Sequence, residues 1–121
     1  MAKKILVAED EKPMARALQL KLSKSGFDVK VVYNGEEAVE ALEKETFDLL
    51  LLDLMMPKKD GFYVLITIRE KNINVPIIVS TNLSQDEDIK KAKELGADDY
   101  FVKSNTPIIK VVEYVEKLLK D

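Results

Sequence analysis

Asp53 closes the run Phe47-Asp48-Leu49-Leu50-Leu51-Leu52-Asp53, so that a stretch of leucines stops abruptly in a carboxylate. Three other apolar runs stop in a polar residue. Lys4 to Ala8 runs into Glu9 and Asp10, Ile77-Ile78-Val79-Ser80 into Thr81, and Asp99-Tyr100-Phe101-Val102 into Lys103. If these ends share one crevice, Glu9, Asp10 and Asp53 repel one another and do not all stay ionised unless a cation joins them. Lys103 is one such cation and a hard divalent ion is another. Mg²⁺ is favoured over a protein-caged Ca²⁺, because few ligands are on offer and Mg²⁺ keeps several waters. A metal beside Asp53 would neutralise charge on an incoming phosphoryl group, the main catalytic task in phosphoryl transfer. Asp53 would then be the nucleophile that forms an aspartyl phosphate, with Thr81 and Lys103 donating to the phosphoryl oxygens. Taken singly, each residue has an ordinary use: an acid after a strand caps the next helix, a strand-end threonine bonds its own backbone, a lysine is solvated. The joint placement at strand ends carries the reading.

Composition removes many competing chemistries. The 121 residues contain no Cys and no His, which excludes disulfides, thiol nucleophiles, zinc-thiolate sites and histidine-based catalysis. Charged residues make up 34% of the chain with a net charge of only −3, and acids and lysines are interspersed, so no basic stripe for nucleic acid is present. The four glycines, at 26, 35, 61 and 96, are separated and form no phosphate-binding loop. Aspartate-based phosphohydrolases of the haloacid-dehalogenase type carry a second Asp two residues after the nucleophile, and Met55 stands there, so turnover of a separate substrate lacks its proton shuttle. The N-terminus is too short in its apolar part for a signal peptide and no stretch is long enough to span a membrane. The expectation is a cytoplasmic protein in which residues 1–121 form one domain.

The elements that position these groups follow in order. Lys4 to Ala8 reads as a strand, and Pro13 to Lys24 as a helix with Met14, Ala17, Leu18 and Leu22 on its apolar side and Gly26 at its stop. Asp28 to Val32, with Lys30 interleaved, suits an edge strand, and Asn34 caps a helix from Gly35 to about Lys44. Leu49 to Leu52 has no polar position and predicts a central strand covered on both faces. Asp60 caps a helix through Val64, Leu65 and Ile68 toward Lys71. After Pro76 comes the strand ending at Thr81-Asn82. Ser84 and Glu87 then form a capping box, and the helix closed by Gly96 has only Ile89, Ala92 and Leu95 on its apolar side, which predicts the least firmly docked helix. Asp99 to Val102 is the last strand, and Pro107 opens a helix with Ile108, Val111, Val112, Val115, Leu118 and Leu119 inward. Five alternations of strand and helix predict an α/β three-layer sandwich, and right-handed crossovers bring all the strand-end loops to one rim. With strand 2 at the edge the parallel order is 2-1-3-4-5, and the crevice lies between strands 1 and 3.

The acid pair Glu9-Asp10, the block Asp53-Leu54-Met55-Met56-Pro57-Lys58-Lys59-Asp60-Gly61, the Pro76 to Thr81 strand and Gly96-Ala97-Asp98-Asp99-Tyr100 leading to Lys103 resemble, in order and spacing, the response-regulator receiver domains of two-component signal transduction. The resemblance covers essentially the whole chain. It implies a flavodoxin-like fold with five helices, and Mg²⁺ held by Asp10, Asp53, the backbone carbonyl of Met55 and, through water, Glu9. It implies a phosphoprotein that takes its phosphoryl group onto Asp53 from a histidine kinase or histidine phosphotransfer protein, a signalling switch rather than an enzyme acting on other substrates. Thr81 and Tyr100 would be the switch pair, Thr81 moving to the phosphoryl group and Tyr100 turning inward behind it, and helix 4, strand 5 and helix 5 the output face. A chain ending after helix 5 is expected to carry no DNA-binding or enzymatic output domain. Three departures stand out. Ser104 replaces the proline that usually follows the lysine, so the peptide between them is either trans, with a different loop, or strained. Asn82 replaces a usually small residue. Met55 and Leu83 are apolar where the family can orient an attacking water, which predicts slow loss of phosphate. The competing reading is a docking module of the same fold that works without phosphorylation.

Overall fold

The computed structural model describes residues 2–82 and 86–119. Each apolar run is a strand followed by a helix: β1 (Lys4–Ala8), α1 (Lys12–Lys24), β2 (Asp28–Val32), α2 (Gly35–Lys44), β3 (Leu49–Asp53), α3 (Gly61–Glu70), β4 (Ile77–Thr81), α4 (Asp86–Glu94), β5 (Asp99–Val102) and α5 (Ile108–Leu119). A single 3-10 turn, Lys103–Asn105, stands between β5 and α5. All strand pairs are parallel and the order is β2-β1-β3-β4-β5, the flavodoxin-like arrangement expected from the alternation.

The leucines of β3 explain the two-sided core. Leu50 and Leu52 pack with Leu6, Val79, Leu42, Val64 and Leu65 under α2 and α3, and Leu49 and Leu51 pack with Ile5, Val7, Ile78, Leu18, Leu22 and Val111 under α1 and α5. A strand pointing alternate side chains into two cores is apolar along that length, as Leu49 to Leu52 are, and the polar residue Asp53 comes only at its end, where it too is buried. The edge strand β2 exposes Asp28 and Lys30, and Lys30 pairs with Glu45, which also takes Lys4. Lys4 and Lys30 hold the Glu45 carboxyl below its ordinary range.

Two caps lie where the sequence puts them: Asn34 accepts from the Glu37 amide and Asp60 from the Tyr63 amide. The capping box falls partly on Ser84, which with Leu83 lies outside the described residues. α4 buries Ala92 alone, in line with its thin apolar stripe. Some expectations need correction. α1 begins at Lys12, with Pro13 inside its first turn, and its buried residues are Ala15, Leu18 and Leu22, while Met14 and Ala17 are half-buried. The face is thus centred on 15, 18 and 22, one step away from Met14. In α5 the inward set ends with Leu119, and Leu118 is exposed. Adjacent helical residues stand about 100° apart, so both cannot sit at the centre of the buried face, and Leu119 is the one that packs against the core.

Candidate functional site

The strand ends converge on one rim. Glu9 and Asp53 are buried to 1% and 2% exposure, Thr81 is fully buried, and Asp10 is half-buried. Glu9, Asp53 and Thr81 are fixed through backbone pairing. The Glu9 amide donates to the Val32 carbonyl at the end of β2, Asp53 stands in register with Ser80, and Thr81 with Val102. One carboxylate oxygen from each of Glu9, Asp10 and Asp53 lies within 4.8 Å of the others.

Lys103 reaches into this group and is no solvated surface lysine, since its side chain is only 6% exposed. Its ammonium donates to Glu9 Oε2, Glu11 Oε1 and Asp53 Oδ2, each at 3.0 Å, and lies 2.8 Å from Glu9 Oε1. Burial pushes the lysine down, but the hydrogen bonds to Glu9, Asp53 and Glu11 outweigh it and hold the ammonium above its ordinary range. Asp53 shows the opposite balance. Burial, and then the charge of Glu9, push its carboxyl up to about 7, against the pull of the Lys103 hydrogen bond and the Met55 amide.

Lys103 therefore pairs with three carboxylates, those of Glu9, Glu11 and Asp53, and a fourth, that of Asp10, lies within 4.8 Å of Glu9 and Asp53. Glu9 Oε1 is buried without a hydrogen bond, despite the nearby ammonium. An all-oxygen donor set with a surplus of negative charge, in which the Lys103 ammonium is the one partner of the buried Glu9 Oε1 among the described residues, fits a hard divalent cation.

The loop from β3 to α3 is held close by backbone contacts. Met55 donates its amide to Asp53 Oδ1 at 3.1 Å, and Leu54 donates to the Ser80 carbonyl. A Cβ on Gly61 would come within 2.7 Å of the Asp53 carbonyl oxygen, and one on Gly35 within 2.3 Å of the Lys59 carbonyl oxygen, which instead accepts the Gly35 amide at 2.7 Å. Only glycine allows either approach. The Met55 side chain is exposed.

Tyr100 stands at the second position of β5, 38% exposed, with its ring 5.2 Å from the Lys93 ammonium of α4. Thr81 lies on the neighbouring strand, fully buried. The Lys103–Ser104 peptide is trans, the first of the two possibilities for Ser104, and the chain turns there into the short 3-10 helix.

Sequence reasoning missed Glu11. It occupies the N-cap position of α1 without capping, and its carboxylate turns to Lys103 instead. The available signal was a third acid in the run Glu9-Asp10-Glu11, at a cap position that Ser, Thr, Asn or Asp would fill better. Also missed was the bond between the two unusual residues, in which Asn82 Oδ1 accepts the Ser104 amide at 3.1 Å.

The family model for the response regulator receiver domain matches residues 5–115. Among solved structures, the chain is similar to the receiver domain of the Francisella response regulator 1452, at 33% identity and a TM-score of 0.88, covering 96% of this chain and 95% of that one. It is also similar to the BeF3-activated N-terminal receiver domain of RstA from Klebsiella pneumoniae, at 32% identity and a TM-score of 0.87, covering 98% of this chain and 100% of the other. A third likeness is to the phosphorylated cyanobacterial phytochrome response regulator RcpA, at 31% identity and a TM-score of 0.83, covering 98% and 94%. Among the described residues no helix is long and apolar enough to cross a membrane.

Proposed function

The chain belongs to the response regulator receiver domain family, and from that premise we propose that it accepts a phosphoryl group on Asp53 in a Mg²⁺-dependent transfer from a histidine kinase or histidine phosphotransfer protein. The observation that carries this reading is a buried carboxylate, Asp53, with the Lys103 ammonium 3.0 Å away and two further acids within 4.8 Å. In the step itself an Asp53 oxygen attacks phosphorus, the phosphorus–nitrogen bond to the donor imidazole breaks, and its electron pair leaves with the nitrogen. Lys103 offsets the charge of the phosphoryl oxygens, and the Thr81 hydroxyl donates to one of them. Asp10, Asp53, the Met55 carbonyl and, through water, Glu9 would hold Mg²⁺, which when bound keeps Asp53 ionised and neutralises phosphoryl charge.

Buried Thr81 and half-exposed Tyr100, on neighbouring strands, would make the switch. Thr81 moving to the phosphoryl group leaves space for the tyrosine ring, and the face of α4, β5 and α5 carries the change to a protein partner. The single buried residue of α4 supports this, since a lightly docked helix is one that a new hydrogen bond can bias. The phosphorylated RcpA and the BeF3-activated RstA receiver support the same chemistry. We read residues 1–121 as one receiver domain.

The test is intact-mass measurement after mixing with Mg²⁺ and acetyl phosphate. A mass gain of one phosphoryl group that Asp53→Asn abolishes is the expected result. A protein that binds Mg²⁺ yet forms no adduct would favour the phosphorylation-independent docking module, and free phosphate released over many turnovers would favour a hydrolase.

A further inference from the structure

The ladder between β4 and β5 ends with Thr81 opposite Val102. One step beyond it stand Asn82 and Lys103, where each chain leaves the sheet. The association continues there through a side chain, because Asn82 Oδ1 accepts the amide of Ser104 at 3.1 Å. The donor is a backbone N–H that a proline at 104 could not supply. Asn82 and Ser104, two of the residues that depart from the family pattern, are thus partners of one another.

The bond lies between the residue after Thr81 and the residue after Lys103. Lys103 needs such an anchor. Its strand is at the edge of the sheet, paired on one side only, and none of the residues of β5 is fully buried. Its ammonium is shared among Glu9, Glu11 and Asp53, three acceptors that would let a long flexible side chain settle in more than one place. What directs the side chain to Asp53 is the position of its root, and Lys103 opens a turn, Lys103–Asn105, whose second residue carries the bonded Ser104 amide.

We propose that Asn82 is a positioning residue for Lys103, acting through the Ser104 amide, and that the pair holds the β4 and β5 loops at the spacing phosphoryl transfer to Asp53 requires. The proposal rests on the reading of Asp53 as phosphoacceptor. It does not use the Ser104 hydroxyl, and that makes it sharp. A neutral hydrogen bond of ordinary strength corresponds to about fivefold in rate if its loss is felt in the transition state.

The experiment uses the 121-residue chain with Mg²⁺ and acetyl phosphate. It measures the phosphorylation rate constant at saturating donor and, separately, hydrogen exchange of the Ser104 amide in the resting protein. Asn82→Ala and Ser104→Pro are each expected to lower the saturated rate about fivefold, and the double variant no further than either single one. Ser104→Ala keeps the amide and is expected to match the wild type. Ser104 exchange is expected to be protected in the wild type and in Ser104→Ala but fast in Asn82→Ala. Should Ser104→Pro not fold, the contrast between Asn82→Ala and Ser104→Ala decides. An unprotected Ser104 amide in the wild type, a wild-type rate for Asn82→Ala, or an equal loss in Ser104→Ala overturns the positioning role while leaving the phosphoacceptor intact. A wild type that takes up no phosphoryl group overturns the phosphoacceptor reading, and this proposal with it.

Discussion

β3 and β5 deliver opposite charges to the same point by different means. β3 lies in the middle of the sheet, buries its four leucines in two cores, and presents Asp53, itself buried, from a rigid apolar support. β5 lies at the edge, has none of its residues fully buried, and presents Lys103 through ion pairs to three carboxylates and a loop bonded to Asn82. The acid is placed by packing and the lysine by polar contacts. A carboxylate fixed by a core cannot follow its partner, whereas a cation held by replaceable contacts can, and that division would suit the proposed uptake of a charged phosphoryl group.

Truncating one residue on each strand breaks or sharpens the contrast most strongly. Leu52→Ala is expected to cost about 3 kcal/mol of unfolding free energy, from lost burial and the cavity it leaves at a fully buried position. Val102→Ala, at a half-buried edge position, is expected to cost about 1 kcal/mol. Urea denaturation of both variants measures the difference, and equal losses would mean that β5 is as much a core strand as β3.

How much of this was legible in the sequence follows the same division. β3 could be read because a four-leucine run without alternation has few other uses, and the strand ends at Glu9, Asp53 and Lys103 could be read because the apolar runs stop there. The contacts that hold Lys103 could not be read. Glu11 reaches it across 92 positions of sequence and Asn82 reaches Ser104 across 22, through side chains that leave no periodic trace. Leu118 and Leu119 show the limit of periodicity itself. Both are apolar and both stand three or four residues past Val115, so the pattern admits either, and packing decides for Leu119.

The rigid support of Asp53 has its own signature in pH. Its carboxyl is pushed up to about 7 in the folded protein, by burial first and by Glu9 second, from an ordinary 3.8. Between those values the folded state holds the proton more tightly than the unfolded state, so the stabilisation is present in full below about pH 4 and is lost as pH rises through 7. For the metal-free protein the loss between pH 5 and pH 7 is expected to be about 2 kcal/mol. The lowered carboxyl of Glu45 gives the opposite slope, but only around and below its ordinary 4.5, outside this window. Asp53→Asn should flatten the profile, and a wild-type stability unchanged from pH 5 to 7 would show that polar contacts, rather than burial, govern Asp53 as well as Lys103.

The smallest effect is expected on α4, beside β5, where only Ala92 is buried and Ile89 is half-exposed. Ile89→Ala removes little buried surface, so global stability should fall by about 1 kcal/mol or less. Hydrogen exchange along α4 should rise by more than this implies, because a helix held by one buried residue can open without the sheet unfolding. The reference is Leu65→Ala on α3, a position 1% exposed, where about 3 kcal/mol is expected and exchange should rise throughout the molecule. If Ile89→Ala costs as much as Leu65→Ala, α4 belongs to the rigid half with β3. If it costs little and loosens α4 alone, the soft side of the molecule extends from β5 to α4, and the surface proposed to carry the signal is the one whose position is cheapest to change.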